Sequence, residues 1–266
     1  MRPKPPIALT IAGSDCSGGA GLEADLKTFA AHRVYGMAAV TAVVAENPKQ
    51  VVSITPVPPE AVKQQIDCCL TGMSSVAVKV GMLFSSAIIQ ACDRELTKFC
   101  SCISHVVVDP VMVSTSGKAL LASKAIRTLE KFLLHHADLV TPNLDEAQVW
   151  IRSPIRTRSQ IETAARQISK RFQCAVLLKG GHLHGSRWAD DYLWDGKKGW
   201  WVRALRVSGI KTHGTGCTYA SSIAANLAWG HPLSEAVRRS KRFVTRTIQE
   251  SHRFKPWMAL NHLARS

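Results

Sequence analysis

The 266-residue chain contains no GxxxxGK(S/T) motif, which excludes a P-loop nucleotide binder. Gly18-Gly19-Ala20-Gly21 does not complete GxGxxG, so a dinucleotide-binding fold has no support either. The eight cysteines form no CxxC pair, so neither a zinc ribbon nor a disulfide framework is signalled. Reduced thiols and a cytoplasmic location are the expectation. No apolar run approaches the roughly 18 residues of a membrane span. Met1-Arg2-Pro3-Lys4-Pro5-Pro6 leads into an apolar stretch too short for a secretory signal, so no membrane association is expected. Internal repeats and low-complexity linkers are absent as well, and residues 1–266 read as one domain. Acidic residues are scarce: 19 Asp and Glu face 34 Lys and Arg, a formal net charge of +15. The basic residues thicken in Arg152–Arg171 and Arg238–Lys255 without the interleaved aromatics of a stacking platform. Solvent-facing helices account for this charge better than a nucleic-acid partner does.

What is present is an alternation of strand and helix patterns. Ile7–Ala12 is a short apolar run stopped by Gly13, the length of a buried strand. Leu22, Leu26, Phe29 and Ala30 recur at helical spacing and predict a helix over about Gly19–His32. Further strands are predicted at Ala38–Ala45, Val51–Ile54, Val76–Val80, His105–Asp109, Leu139–Thr141 and Ala175–Lys179. Helical patterns begin near Pro59 and cover Ser86–Phe99, Ser123–His135, Leu144–Ile151 and Ser159–Phe172. Tyr192–Trp194 and Trp200–Arg203 read as a hairpin rich in tryptophan. A helix then runs from near Gly216 to the Gly230-His231-Pro232 stop, and another carries Val237, Val244 and Ile248. Near-continuous apolar strands alternating with amphipathic helices predict an α/β fold, a mostly parallel central sheet with helices on both faces.

The predicted strands share one regularity. Each hands over at its carboxyl end to polar or glycine-rich residues: Gly13-Ser14-Asp15, Glu46-Asn47, Gly81-Met82, Asp109-Pro110, Pro142-Asn143 and Lys179-Gly180-Gly181. Ligands of open α/β sheets bind outside those ends. The stretch Thr212-His213-Gly214-Thr215-Gly216-Cys217-Thr218 adds a glycine-rich turn feeding a helix. Such a turn aims free backbone N–H groups and the positive end of a helix dipole at one point, the setting for an anion and above all a phosphate. A thiol at a helix start is a candidate for activation towards thiolate. A glycine turn that merely packs closely, followed by a buried cysteine, is the competing reading of this stretch alone.

In chain order, Ala12–Thr28, Thr41–Asn47, Lys79–Leu83, Val108–Met112, Thr141–Ala147, Leu178–His182 and His213–Thr218 resemble the motifs of the hydroxymethylpyrimidine/phosphomethylpyrimidine kinases, ribokinase-like enzymes of thiamine biosynthesis. The resemblance spans about residues 7 to 250. It implies phosphoryl transfer from ATP with Mg2+, first to the hydroxymethyl group of the pyrimidine and then to the resulting monophosphate. Gly13, Asp25, Val44, Glu46 and Met82 are implied to line the pyrimidine pocket. Asn143, Lys179, Thr212 and Thr215 are implied to meet the nucleotide, and Asp109 and Glu146 the metal, although Asn143 and Glu146 also read as a helix capping box. Cys217, with Gly214 and Gly216, is implied to be catalytic: the thiol takes the substrate proton where most ribokinase-like enzymes use an aspartate. A homodimer is the assembly the resemblance implies. Pyridoxal kinase is the rival within the same superfamily. Its dual-cysteine variety carries a second Cys in the stretch that here reads Val113-Ser114-Thr115-Ser116-Gly117. A catalytically silent anion-binding protein on this fold is the remaining alternative. The positive charge and the tryptophan-rich region from 188 to 201 have no explanation in the family.

Overall fold

A computed structural model describes residues 4–112, 121, 123–181, 187–210, 213–255 and 257–264. The chain begins β1 (Ile7–Asp15), α1 (Gly21–Ala31), β2 (Tyr35–Asn47), β3 (Gln50–Pro56), α2 (Pro59–Leu70), β4 (Val76–Val80) and α3 (Ser86–Lys98). It continues with β5 (Ile103–Val108), α4 (Ser123–Phe132), a 3-10 turn at Leu134–His136, β6 (Leu139–Val140), α5 (Leu144–Ile151), α6 (Arg158–Phe172) and β7 (Ala175–Lys179). The last elements are β8 (Asp191–Trp194), β9 (Gly199–Val202), α7 (Thr215–Ala228), α8 (Leu233–Gln249), β10 (His252–Phe254) and β11 (Trp257–Ala259). Strands β1 to β9 form one sheet in the order β3-β2-β1-β4-β5-β6-β7-β8-β9. The six strands from β2 to β7 in that order are parallel, and antiparallel β3 and β8–β9 close the two edges.

Period-two alternation decides which residue faces which helical layer. Leu9, Ile11, Val76, Val78, Val80, Val106, Val108, Val140, Val176 and Leu178 enter one core, with residues of α2 to α6. Ala8, Ala77, Val107, Leu139, Ala175 and Leu177 enter the other, under α1, α7 and α8. The second face is lined by smaller residues because α7 lies directly across β1, β4 and β5. Thr218 to Leu227 of α7 are buried without a break, and nine of these ten are Ala, Ser, Thr, Tyr, Ile or Asn packed on all sides rather than on a stripe. Among the described residues no helix is long and apolar enough to cross a membrane.

Three local features differ from the sequence expectations. Strand β1 is not stopped by Gly13: it runs on to Asp15 through a bulge between Ala12 and Ser14. Strand β3 is the antiparallel arm of a hairpin with β2, and the turn Asn47-Pro48-Lys49-Gln50 is an Asx turn in which Asn47 Oδ1 accepts from Lys49 N (2.9 Å) and Gln50 N (3.2 Å). The tryptophans do meet cations after all. Arg158, Glu162 and Arg166 fall at i, i+4 and i+8 on α6, one face of the helix. Arg158 covers the Trp201 ring at 4.3 Å, Glu162 accepts from Trp201 Nε1 at 2.9 Å, and Arg166 covers Trp194 at 5.0 Å. Arg203 and Arg187 flank Trp188 at 4.7 and 5.1 Å. The aromatic edge hairpin is therefore packed by a basic helix face brought from about 40 residues earlier, which linear spacing hides.

Candidate active site

The chemistry-bearing residues gather at the carboxyl ends of β1, β2, β4, β5 and β7 and at the start of α7. Gly214 precedes that helix in the left-handed region, φ 80°, and a Cβ there would overlap the carbonyl of Gly19. Only glycine meets both demands. The first i→i−4 bond of α7 is donated by Thr218 N to Gly214 O at 2.9 Å. The N–H groups of Thr215, Gly216 and Cys217 thus precede the helical ladder, and the N-cap, being glycine, has no side chain of its own to bond them. Gly214→Ala is expected to cost at least about 1–3 kcal/mol from backbone strain alone, read as a fall in Tm, with activity lost in step.

Gly216 backs onto an ion pair. A Cβ at this position would stand 3.4 Å from both Asp109 Oδ2 and Lys179 Nζ. Lys179 donates to Asp109 Oδ1 at 2.8 Å, and Thr141 Oγ1 donates to the same oxygen at 3.0 Å. Burial works against the Lys179 charge, but the Asp109 and Glu146 carboxylates outweigh it and raise its pKa. Glu146 and Asn143 form the capping box of α5: Glu146 N donates to Asn143 Oδ1 at 2.9 Å, and Asn143 N donates to Glu146 Oε2 at 2.9 Å. Burial, with Asp109 acting the same way, pushes the Glu146 carboxyl up to about 7 against the pull of Lys179. Asp109, Glu146 and Lys179 therefore sense one another's charge beside the α7 start.

The second half of the site is a wall. Gly13 lies against Met82 and Val44, so that an added Cβ would come 2.6 Å from Met82 Cε and 3.6 Å from Val44 Cγ2. Met82, Val44 and Ala42 form a small apolar cluster of their own. Glu46, at the end of β2, stands beside it. Burial, aided by Asp15 and Glu23, raises its pKa, and His213 opposes.

Two residues that sequence reasoning assigned no role join the halves. His213 Nε2 lies 3.1 Å from Asp15 Oδ2 and 3.9 Å from Glu46 Oε2. Asp15 also accepts from Ser17 N, Ser17 Oγ, Gly19 N and Ala20 N, which fixes the glycine loop ahead of α1. Burial alone would raise the Asp15 carboxyl, yet the bonds from His213, Ser17 and Ala20 hold it at about 2. For His213, burial opposes the charge while Asp15 and Glu46 raise its pKa. The turn into α7 is thereby tied to the residues flanking the Gly13 wall.

Asp25, expected at the pyrimidine pocket, is fully buried, and its carboxylate accepts from Thr10 Oγ1 (2.5 Å), Lys79 Nζ (2.7 Å) and Ser221 Oγ (2.5 Å). With both oxygens occupied and no solvent access, it serves a partner within the fold. That partner, Lys79, is also fully buried, and burial against its charge is outweighed by Asp25, so its pKa is raised. A lysine inside the apolar run Val76-Ala77-Val78-Lys79-Val80 must be paired, a signal the sequence itself carries.

Contrary to the expectation from its place at a helix start, the Cys217 thiol is not driven towards thiolate. Burial pushes it up to about 11, with Asp25 and Asp109 acting in the same direction against the pull of Lys79. Burial beats the helix start because the dipole contributes the equivalent of about half a charge, while desolvation acts on the whole thiolate. The structure places Cys217 next to the charges of Lys79, Lys179 and Asp109, so the predicted catalytic, nucleotide and metal residues do meet. Thr215 is the first residue of α7. Thr212 and the Val113–Gly117 stretch lie outside the described residues.

The mostly parallel nine-stranded sheet with helices on both faces is the ribokinase-like fold, shared with solved kinase structures at 32% and 37% identity. The family model described as phosphomethylpyrimidine kinase matches residues 15–260. A hydroxymethylpyrimidine/phosphomethylpyrimidine kinase of Rhizobium meliloti is 42% identical over 93% of this chain and 92% of its own length. The chain spans about half the length of several other curated relatives. One is the thiamine biosynthesis bifunctional protein ThiED of Geobacter sulfurreducens, 42% identical over 91% of this chain and 49% of that protein. Among solved structures, the pyridoxal kinase of Staphylococcus aureus in complex with AMP-PCP and pyridoxal is 32% identical, with a TM-score of 0.88 over 98% of this chain and 94% of that one. The chain belongs to the phosphomethylpyrimidine kinase family and is a phosphotransferase that uses ATP.

Proposed function

We propose that the one site performs two successive phosphoryl transfers from ATP, to 4-amino-5-hydroxymethyl-2-methylpyrimidine and then to its monophosphate. The observation that carries this reading is the His213 bridge, which holds the anion-ready start of α7 against the Gly13–Val44–Met82 wall and Glu46. A planar pyrimidine suits the soft Met82 and Val44 surfaces, and Glu46 accepts from its exocyclic amine. The hydroxymethyl group then points to Cys217, which takes its proton. The N–H groups of Gly214 to Cys217, with Lys179, meet the charge spreading over the transferring phosphoryl group. Asn143, Thr212 and Thr215 complete the nucleotide contacts.

Asp109 and Glu146 are the residues that would hold Mg2+. Their fit rests on the donor set: Asp109 spends Oδ1 on Lys179 and Thr141 and presents Oδ2 towards Gly216, and carboxylates are the hard oxygen ligands that Mg2+ takes, usually through water. Bound there, the metal would neutralise phosphate charge. The capping box fixes the Glu146 carboxylate on the α5 start whether or not a metal is bound. In the cell the same reading places the chain in the cytoplasm as a homodimer.

Pyridoxal kinase is the second reading, favoured by the likeness to the S. aureus enzyme over nearly the whole chain. Absence of a cysteine in Val113–Gly117 and the presence of Glu46 weigh against it. Coupled assays with hydroxymethylpyrimidine, its monophosphate and pyridoxal, side by side with Mg2+ and ATP, decide the matter. Turnover is expected on both pyrimidines and weaker or none on pyridoxal. Faster turnover on pyridoxal would hand the site to the second reading, and folded protein inert towards all three would leave only an anion-binding role.

A further inference from the structure

Two imidazoles and a carboxylate converge on the sheet edge opposite the active site. The 3-10 turn Leu134–His136 leads into the amino end of β6, and it packs beside the second half of α3, which carries Asp93. His136 Nε2 lies 2.9 Å and His135 Nε2 3.6 Å from the same atom, Asp93 Oδ1. One ligand atom from each of the three residues can be chosen so that all lie within 4.8 Å of one another. The two rings are 3.9 Å apart between centroids. Neighbouring side chains of a 3-10 turn splay by about a third of a revolution, so this convergence is a property of the packing and not of the turn.

The kinase reaction makes no use of these groups. A structural ion pair needs one histidine, and His136 alone supplies it. The second imidazole aimed at the same oxygen adds a neutral nitrogen donor, and two imidazoles with a carboxylate are a recurrent ligand set for zinc. Bonds of about 2.0–2.2 Å to a tetrahedral ion put ligand atoms about 3.4 Å apart. The 2.9 and 3.6 Å separations bracket that value. Imidazole donors select Zn2+, Co2+, Ni2+ or Cu2+ over Mg2+ and Ca2+, which prefer all-oxygen sites. His135 is exposed and gives the ion its path, whereas Asp93 and His136 are partly buried and hold their places.

We propose that Asp93, His135 and His136 form a zinc-class transition-metal site, with water in the fourth position, that clamps α3 to the turn entering β6. A second triad, Asp15, Glu46 and His213, also brings its ligand atoms within 4.8 Å, but it belongs to the kinase centre. The test must separate the two. Co2+ is titrated into the full chain without nucleotide and in excess Mg2+, with visible absorption as the readout.

The expected result is a single equivalent of four-coordinate Co2+, displaced by Zn2+, with a rise in Tm when Zn2+ is in excess. His135→Ala should weaken binding by about tenfold or more while Mg2+-supported kinase rates stay unchanged. His136→Ala should do the same, and because His135 is the more exposed residue, its variant decides the matter should the other fail to fold. His213→Ala should leave the Co2+ spectrum intact. No four-coordinate spectrum in the wild-type chain would overturn the proposal. A spectrum that survives His135→Ala but is lost in His213→Ala would move the ion to the kinase centre and overturn it equally.

Discussion

Replacing Cys217 with alanine lowers kcat by about a hundred- to ten-thousandfold, the range that a positioned proton acceptor contributes. The KM for either pyrimidine changes little, as the proposed role on the hydroxyl proton, not on the ring, requires. The position tolerates the smaller side chain, because Cys217 sits in the first turn of α7, ahead of the unbroken buried run that begins at Thr218. Circular dichroism and Tm should therefore match wild type. The pH profile adds a sharper readout. Burial holds the Cys217 thiol at about 11, so the reactive thiolate is a minor species near neutrality and its share grows as pH rises. Wild-type kcat is expected to climb between about pH 6 and 9. Cys217→Asp, whose carboxylate ionises far more readily than a thiol, should retain activity with a flatter profile. Near-wild-type turnover by Cys217→Ala would remove the base assignment. A flat wild-type profile would mean that the proton leaves by another route.

Asp25→Asn destabilises the fold by about 3–5 kcal/mol, because it strands the buried Lys79 ammonium without its countercharge. For a chain of this length that is a Tm loss on the order of 10 °C. The pair is worth little as a net gain, since two charges were desolvated to make it, but breaking one half exposes the whole penalty. Pairing Asp25→Leu with Lys79→Met should recover most of the lost stability, which a thermal melt of the double variant checks. In the folded fraction of Asp25→Asn, the KM for pyrimidine stays unchanged, as it must if the carboxylate never touches the ring. A large rise in KM at unchanged Tm would restore Asp25 to the pocket.

The contrast between Asp25 and Glu46 shows where sequence reading runs out. Both are carboxylates in motifs that resemble the same family, and both were expected to face the pyrimidine. One sits on the buried face of α1 opposite a lysine 54 positions later, the other at a strand end open to the site. Periodicity shows that each element exists, but which of two carboxylates meets a cation depends on the β1–β4 pairing that brings Thr10 beside Lys79. The layout was largely legible, because β4, α5 and β7 have the bounds that apolar runs and caps predict. Strand direction was not, since Val51–Ile54 reads alike in a parallel strand and in the antiparallel arm of a hairpin. The short β10–β11 pair left no signal at all, being three residues per strand with no buried side chains in either. Lysine 79 and His213 were readable as residues and not as roles, because each works through a partner far away in the chain.

The position of α7 has a consequence for how the protein is made. This helix covers the middle of the sheet, across β1, β4 and β5, yet it is assembled from residues after 214. Its Ser221 closes the hydrogen bonding of Asp25, and its first turn supplies Cys217 and the N–H groups proposed to meet phosphate. Until four-fifths of the chain has left the ribosome, the sheet face of Ala8, Ala77 and Val107 is covered by α1 alone, and the Asp25–Lys79 pair lacks one of its donors. A nascent chain of this kind is inert as a kinase and carries a partly open apolar sheet face, the state in which chaperone capture and aggregation compete. Catalytic competence and the burial of that face arrive together, in one late docking event.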